Sequence, residues 1–420
     1  MSRVLDGIAP PRMGTSFRWL LASSWVTNIG DGIAIAAGPL LVASQTHNAI
    51  LVALAGLLQR APWLILGLYA GAIADRVDRR ILVMLADATR AGVVAMLCVV
   101  IATGRIDITL VLVAMFLLGV TEVFADTTSS TLLPMLVDRA DLGIGNARFQ
   151  ASFLVAGQIL GPPVGAFLFA MGMVWPFVVQ VVCVGFGVVL VSRIVTPKGG
   201  VREDVDRHVT RDIVEGLRWL VGHAAVRTLA VVILAFNITW GAGWSVLVLY
   251  SLDHLHMRDV GFGLLTSAAA VGGIIGTSCY GWIERHVALA TVMRVCLLLE
   301  VLTHLSLALT SSGGVAMLIM LVFGAYAFVW STVSQTVRQR VTPTELQGRV
   351  GSVYMVAGFG GLVIGQALGG WLAETLGLTA PFWFAFVGSA VTLALVWHQL
   401  GRIAHAGPDG VDAVEADIPR

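Results

Sequence analysis

Ionisable side chains occur at several positions where the surrounding sequence is almost entirely apolar. Asp31 lies in one such stretch, with Asn28 three residues before it, and Glu122 and Asp126 lie one helical turn apart in another. Arg60 lies in a third stretch. A charge in apolar surroundings is unfavourable unless it is paired or is neutralised by proton transfer. The carboxyl groups are therefore predicted to exchange protons, with Asn28 and Arg60 beside them in the coupling site or cavity, and the alternative is a fixed ion pair between Asp31 and Arg60.

The proton-exchange interpretation sets a condition on the structure. Asp31 and Glu122 must face water and not hydrocarbon, and they must not both be held permanently by arginines. Two other pairs are predicted to be local contacts without a role in exchange. These pairs are Asp87 with Arg90, three residues apart, and Glu300 with His304, four residues apart.

The elements that position these side chains are predicted to be membrane-spanning helices. The chain of 420 residues is 57% hydrophobic and 12% charged, whereas soluble domains carry about a quarter charged residues. Twelve mostly apolar stretches are each long enough to cross a bilayer, and they span residues 17–44, 48–70, 81–102, 108–130, 149–171, 174–195, 228–252, 261–283, 287–310, 314–335, 351–373 and 380–400. The chain is therefore predicted to be an all-α membrane protein embedded in the lipid bilayer.

Basic residues are concentrated on one side of these predicted spans. They are Arg12, Arg18, the arginines of 76–80, Arg139, the basic residues of 198–227, Arg285, the arginines of 338–349 and Arg402. The opposite side keeps Arg105 and Arg258. Because positively charged loops remain in the cytoplasm, both termini are predicted to be cytoplasmic.

A short charged loop joins the second and third spans. Residues 71–80 read Gly-Ala-Ile-Ala-Asp-Arg-Val-Asp-Arg-Arg. Glycine favours a sharp turn, and arginines at the cytoplasmic face fix the orientation of the flanking helices. An orientation signal alone does not require Asp75 and Asp78, which predicts a further role for this loop.

A glycine- and proline-rich pattern interrupts the fifth span. Gly157, Gly161 and Gly165 recur every four residues, and Pro162 and Pro163 follow the second glycine. The prolines remove backbone donors and kink the helix, while glycines on one face allow a neighbouring helix to approach closely. The kink either contributes to coupling or is a packing feature alone.

The two halves of the chain repeat these patterns in the same order. The echoes are 71–76 in 281–285, 133–148 in 342–349, and 157–165 in 361–369. Such internal repeats are typical of transporters built from two related bundles. We predict twelve transmembrane helices in two six-helix pseudo-symmetric bundles, 1–195 and 228–400, joined by a cytoplasmic linker with an amphipathic helix at 196–227 and followed by a disordered cytoplasmic tail at 401–420.

Aromatic and polar side chains recur at helical spacing in the second half. Asn237, Trp240 and Trp244 lie in the seventh span, and Tyr326 and Trp330 lie in the tenth. Such rings can stack on a planar or lipophilic ligand and can bind a cation. They are predicted to contact substrate, and the alternative is that they are packing residues.

The loop 71–80 and the pattern 157–166 resemble two motifs of the major facilitator superfamily, the signature loop and the antiporter motif. The likeness covers all twelve spans and is closest to the drug:proton antiporter branch, which includes macrolide and siderophore exporters. It implies that spans 1, 4, 7 and 10 line a central cavity reached by alternating access. It also implies that the loop latches the cytoplasmic gate through Gly71, Asp75, Arg76, Asp78, Arg79 and Arg80. The chain departs from the family pattern in the fourth span, which lacks the usual arginine, and at Asp78, which replaces a glycine. The antiporter motif also differs, with Pro163 added and Ala166 in its last place.

No phosphate-binding loop, nucleophile elbow or zinc-protease motif is present in the sequence, so neither ATP hydrolysis nor another enzymatic activity, cofactor or metal is expected. We predict a monomeric secondary exporter of amphipathic organic compounds, which works in exchange for protons in a bacterial inner membrane and binds no nucleic acid. The alternatives are a siderophore or lipid exporter, a metabolite facilitator, and a membrane sensor or scaffold that does not transport.

Overall fold

The structure is a computed structural model of the chain, and it describes residues 13–138, 141–195, 217–343 and 346–404. Twelve helices of 17 residues or more follow one another in this part of the chain, and we number them in order; short helical segments such as Leu247–Leu249 and Tyr250–His254 are left unnumbered. They are α1 (Gly14–Gln45), α2 (Ala49–Arg76), α3 (Arg79–Ala102), α4 (Ile108–Leu136), the interrupted α5 (Leu142–Ser152, Phe153–Leu160 and Gly161–Met171), α6 (Trp175–Val191), α7 (Ala224–Ser245), α8 (Asp259–His286), α9 (Leu289–Leu309), α10 (Gly313–Val341), α11 (Gln347–Leu376) and α12 (Ala380–Ala404). Most of the predicted linker helix and of the predicted tail lies outside the described residues.

Eleven of the described helices are long and apolar enough to cross a membrane. The twelfth, α6, has 17 residues and is equally apolar but shorter. Each predicted span overlaps one of these helices, which makes the chain an all-helical integral membrane protein. Several helices run past their apolar stretch, since backbone hydrogen bonding continues where the surroundings become polar.

The signature-loop residues are more helical than the sequence predicts. Helix α2 continues to Arg76, and α3 begins at Arg79, so the turn itself is Val77–Asp78. Gly71 lies within α2, and a Cβ atom there would meet nothing closer than a methyl group of Thr127 at 4.0 Å. The prediction that Gly71 makes the turn is therefore wrong, because the turn lies six residues further on.

The chain separates into two compact units. The first comprises Met1–Val205 with Ser251–Ser267, and the second comprises Asp206–Tyr250 with Ala268–Arg420. The predicted bundles divide the sequence at the central linker. The two units differ from them in one segment, Ser251–Ser267, which groups with the first unit although it follows the linker. In the first unit α1 packs on α5 and α6, and α4 packs on α2 and α3; in the second, α7 packs on α11 and α12, and α9 on α10 and α12.

Glycines bring one pair of helices into backbone contact in each unit. A Cβ atom at Gly161 of α5 would lie 2.4 Å from the Cα atom of Gly32 in α1. In the second unit, a Cβ atom at Gly365 of α11 would lie 2.3 Å from the carbonyl oxygen of Ile238 in α7. The repeated glycine patterns thus make equivalent contacts, α5 on α1 and α11 on α7.

Candidate functional site

A buried arginine connects α1 and α3 in the first unit. The Nη1 atom of Arg90 lies 2.9 Å from Oδ1 of Asp31, and its Nη2 atom lies 2.9 Å from Oδ1 of Asp87. Arg90 and Asp87 are 5% and 4% exposed, whereas 37% of the Asp31 side chain remains exposed. The predicted local pair of Asp87 and Arg90 therefore exists, but Arg90 also reaches across to Asp31. The alternative prediction of an ion pair between Asp31 and Arg60 is wrong.

Arg60 of α2 lies beside α4 instead. Its Nη1 atom is 3.9 Å from Oε1 of Glu122, and the two side chains are 39% and 26% exposed. This long, open contact is weaker than the pair between Arg90 and Asp31, because water screens it. One turn further along α4, Asp126 is exposed and close enough to Asp31 and Arg90 to interact electrostatically with both.

Together these side chains form one charged cluster in the first unit. We define it as Asp31, Arg60, Asp87, Arg90, Glu122 and Asp126. Among the described residues, the cluster holds four carboxyl groups and two guanidinium groups. The carboxyl groups can be neutralised in full only if protons or a cationic ligand supplement the arginines. The sequence predicted Arg90 only as the local partner of Asp87, and its contact with Asp31 was missed although an arginine within an apolar span was the signal.

Asn28 takes part in a hydrogen-bonded contact with α5, and no hydrogen bond joins it to Asp31. Its Nδ2 atom donates to the carbonyl oxygen of Ser24 at 2.7 Å and to the hydroxyl of Ser152 at 3.3 Å. The hydroxyls of Ser24 and Ser152 are 2.7 Å apart. Asn28 thus positions α1 against α5 next to the charged cluster.

The proline pattern reshapes α5. Residues Phe153–Leu160 form a widened π-helical segment directly before Gly161, and the helix then continues to Met171. Pro163 has no N–H for the carbonyl oxygen of Ile159, four residues earlier. The hydroxyl of Ser267, in the first turns of α8, donates to that oxygen at 2.9 Å. Sequence patterns gave no sign of Ser267, because its partner is a backbone atom on another helix.

Two residues of the signature loop, Asp78 and Arg80, have defined partners near the start of α3. The side chain of Asp78 accepts hydrogen bonds from the backbone N–H groups of Arg80 at 2.9 Å and of Ile81 at 3.3 Å, so it is the N-cap of α3. The guanidinium of Arg80 donates to the carbonyl oxygen of Ser192, just after α6. Asp78 therefore serves the helix start where the family pattern has glycine.

Two more arginines of this loop and Asp75 complete the predicted gate residues. The Nε atom of Arg79 donates to the carbonyl oxygen of Ala74 at 3.3 Å, which folds its side chain back over the end of α2. Asp75 and Arg76 lie in the last turn of α2, and their side chains fall outside the described part of the structure.

The aromatic residues of the second unit divide into two groups. Trp240 stacks on Phe323 with 3.9 Å between ring centroids and contacts Trp244 at 5.1 Å; both tryptophans are partly exposed. Tyr326 and Trp330 are only 4% and 3% exposed and belong to the core. The prediction that Tyr326 and Trp330 contact substrate is therefore corrected, because Tyr326 bonds Glu300 of α9 and Trp330 stacks on Phe236 of α7.

Asn237 completes the predicted aromatic and polar set. It is partly exposed, and its Nδ2 atom donates to the carbonyl oxygen of Ile233 at 2.8 Å, one turn earlier in α7. Its side-chain oxygen remains able to accept a hydrogen bond. Asn237, Trp240 and Trp244 thus form the accessible part of the set.

The predicted local hydrogen bond in α9 is confirmed. His304 Nε2 lies 2.8 Å from Glu300 Oε1, and the hydroxyl of Tyr326 donates to Glu300 Oε2 at 2.6 Å. This network gives the buried hydroxyl of Tyr326 a hydrogen-bond partner.

Comparison with known proteins places these observations in a family. A family profile described as transmembrane secretion effector, within the major facilitator superfamily, matches residues 6–408. The multidrug efflux pump Tap of Mycolicibacterium fortuitum is 29% identical over 381 residues, which cover 86% of this chain and 90% of that protein. The enterobactin exporter EntS of Escherichia coli O1:K1 / APEC is 24% identical over 403 residues, 94% of each chain.

Solved structures share the fold at lower sequence identity. A bacterial homologue of the iron transporter ferroportin, solved in an inward-facing state, superposes with a TM-score of 0.70 at 17% identity and covers 93% of this chain and 99% of that one. The nucleoside transporter NupG superposes with a TM-score of 0.69 at 12% identity over 92% and 99% of the two chains. Each of these relatives and structures is named as a pump, exporter or transporter.

Proposed function

Because this chain belongs to the transmembrane secretion effector family of the major facilitator superfamily, we propose that it exports amphipathic small organic compounds in exchange for protons. The single observation that carries the proposal is the excess of carboxyl over guanidinium groups in the charged cluster. Ionisable groups inside membrane-spanning helices are costly and usually mark an ion or substrate pathway.

The charged cluster has a fixed part and a part that exchanges protons. Arg90 holds Asp31 and Asp87 at 2.9 Å each, so these three groups form the fixed part of the cluster. Glu122 has a distant, solvent-screened partner, and Asp126 is exposed. We assign proton uptake and release to Glu122 and Asp126. Of the two carboxyl groups that were required not to be held by arginines together, Asp31 is held by Arg90. Glu122 remains able to exchange its proton.

The exchange follows from charge balance. A proton on Glu122 or Asp126 removes one negative charge from the cluster, and a cationic or amphipathic substrate that approaches the same groups competes with that proton. Binding of one partner therefore favours release of the other. In alternating access, the carboxyl groups meet protons on one side of the membrane and substrate on the other.

Substrate contacts in the second unit are assigned to Asn237, Trp240 and Trp244. The two indole rings and Phe323 form a partly exposed stack, which offers flat apolar faces and a site for cations. The amide of Asn237 supplies a polar contact one turn away. Such a lining suits lipophilic cations and large planar compounds.

The remaining architectural assignments follow the sequence. The units correspond to six-helix bundles, α6 crosses the membrane as a short twelfth span, and both termini are cytoplasmic because the basic loops lie on that side. Asp75 to Arg80 then lie at the cytoplasmic mouth, where Arg80 ties α3 to the end of α6. A bacterial inner membrane is the proposed location, and the monomer is the proposed working form.

A second candidate, a siderophore exporter, is supported by the likeness to EntS over 94% of the chain. It differs from the first candidate in cargo only. Lipid export, facilitated metabolite passage and a non-transporting role are the further alternatives that the experiment below distinguishes.

The test is a resistance and accumulation panel in an efflux-deficient bacterial host, with lipophilic cations, a macrolide and a catecholate siderophore. We expect wild type to lower accumulation of at least one compound class. Glu122→Gln and Asp126→Asn should abolish that export, and Asp31→Asn should reduce it by disrupting the fixed part of the cluster. Export that survives a collapsed proton gradient, or that tolerates all three substitutions, would contradict the proposal.

A further inference from the structure

A hydrogen-bonded network is sealed inside the second unit. Glu300, His304 and Tyr326 are 0%, 1% and 4% exposed. Glu300 uses both carboxyl oxygens, one with His304 Nε2 at 2.8 Å and one as acceptor from the Tyr326 hydroxyl at 2.6 Å. The Tyr326 hydroxyl also lies 3.1 Å from the hydroxyl of Thr303. Ordinary core packing of membrane helices does not require a glutamate and a histidine at full burial.

No arginine or lysine balances this network in the described residues. Among the residues that the structure describes, His304 is the one ion-pair partner of Glu300 within 4.0 Å. Cys296, one turn earlier in α9, is the other titratable group that acts on Tyr326.

The charged groups of the surrounding helices point elsewhere or lie near helix ends. Arg294 of α9 stacks on Trp397 of α12, and Arg338 of α10 stacks on Tyr354 of α11. The others on α10 and α12 are Arg340, His398 and Arg402. From Tyr326, the nearest of the α10 arginines is three turns of helix away, or about 18 Å at the rise of an α-helix.

While the network is sealed, charge balance favours one proton on this pair. With one proton between them, Glu300 and His304 are neutral overall; with none or two, they leave a net charge, which is unfavourable until water reaches the apolar interior. The one-proton state has two forms. Either the ring is an imidazolium, or the glutamic acid donates to Nε2 and the neutral ring carries its hydrogen on Nδ1.

Both forms of the one-proton state place a hydrogen on Nδ1 of His304. That atom is buried and has no hydrogen-bond partner among the described residues. An unsatisfied buried donor is unfavourable, so this N–H can pair with any acceptor that enters. Water is the acceptor of matching size, and it would carry the proton away.

We propose that Glu300 and His304 form a proton-binding site of the second unit, which exchanges its proton through Nδ1 of His304 when water reaches the network. Tyr326 is a positioning residue, because its hydroxyl holds the second oxygen of Glu300. The site deepens the proposed function, since it adds a proton store in the unit that lacks the charged cluster. Its test needs no known substrate.

The experiment uses the full chain in lipid nanodiscs with ¹⁵N-labelled histidine. The ring nitrogen signals of His304, identified by their loss in His304→Asn, are followed from about pH 5 to about pH 9. We expect the Nδ1 signal to change reversibly with pH in wild type and to respond differently in Glu300→Gln, where the ring has lost its carboxyl partner. Tyr326→Phe should alter this response in the same assay, while His398→Asn, on the exposed face of α12, should leave it unchanged.

Ring signals of His304 that stay constant across the whole range would overturn the inference and identify the network as fixed packing. If His304→Asn fails to fold, the difference between wild type and Tyr326→Phe locates the signal instead. Transport that ignores a proton gradient, in protein whose His304 still titrates, would refute the proposed export mechanism and leave this proton site standing. Proton-driven transport with constant His304 signals would refute this proton site and leave the proposed export mechanism standing.

Discussion

The two units use the same glycine contact but differ in what surrounds it. Helix α5 meets α1 at Gly161 in the first unit, and α11 meets α7 at Gly365 in the second. Beside the first contact the helices carry a partly open cluster of charges, whereas the second unit has an aromatic stack and a sealed Glu300 network. The repeat thus preserves how the helices pack and leaves the chemistry free to diverge.

The largest expected effect comes from removing the arginine that distinguishes the first unit. Arg90→Met leaves Asp31 and Asp87 without their shared partner, and breaking a buried ion pair costs about 3–5 kcal/mol. Thermal unfolding in detergent should show a large loss of stability, and export should be lost. Arg60→Met is the matched control: its contact with Glu122 is long and open, so the loss should be about 1 kcal/mol or less. Equal losses in the two variants would contradict the assignment of a fixed and an open part.

The shared glycine contact gives the next largest effect. Gly161→Ala and Gly365→Ala each place a Cβ atom within 2.4 Å of a neighbouring backbone, and overpacking of this kind costs about 1–3 kcal/mol. Unfolding midpoints should fall by similar amounts in the two variants. Gly185→Ala, which meets nothing within 4 Å, should leave stability unchanged or slightly raised. A loss in one unit alone would break the equivalence of the two contacts.

The proline kink is a feature of the first unit, since 361–369 contains no proline. Ser267→Ala removes the hydroxyl that satisfies the carbonyl oxygen of Ile159 and should cost about 1 kcal/mol. The loss should disappear in a Pro163→Ala background, because the restored N–H can bond that oxygen itself. A double-mutant cycle on unfolding free energies measures the coupling, and additive losses would argue against this account of the kink.

The smallest effect concerns the start of α3 and of its counterpart α9. Asp78 caps α3, whereas Ala288 precedes α9 without a side-chain cap. Asp78→Ala should therefore cost about 1 kcal/mol, and Ala288→Asp should add a few tenths to about 1 kcal/mol. Both shifts are measurable by unfolding in mixed micelles. Ala288→Asp that destabilises the chain would show that the two helix starts are not equivalent.

The helices, the internal repeat and the family could be predicted from the sequence, because they depend on composition and on the spacing of residues. Apolar runs of about 20 residues indicate membrane-spanning helices. The glycine patterns of 157–165 and 361–369 occupy corresponding places in the two halves. The likeness to exporters rested on short motifs and was confirmed by the family profile.

The partners of individual side chains required the structure. Whether Asp31 pairs with Arg60 or with Arg90 depends on the rotation of α1 against its neighbours, which spacing along the chain does not determine. Tyr326 and Trp330 recur at the same helical spacing as exposed rings in the sequence, but Tyr326 is buried against α9 and Trp330 against Phe236 of α7. Ser267 donates to a backbone oxygen, so complementary residue types in the sequence could not predict this contact.

The most direct test of the central claim is proton movement during export by purified protein in liposomes. With a pH-sensitive dye inside the vesicles, addition of a compound identified by the resistance panel should drive a proton signal opposite to substrate flow in wild type. The account predicts that this signal is abolished in a Glu122→Gln, Asp126→Asn double variant and kept in Arg60→Met. An undiminished signal in the double variant would show that the excess carboxyl groups of the first unit do not carry the exchanged protons.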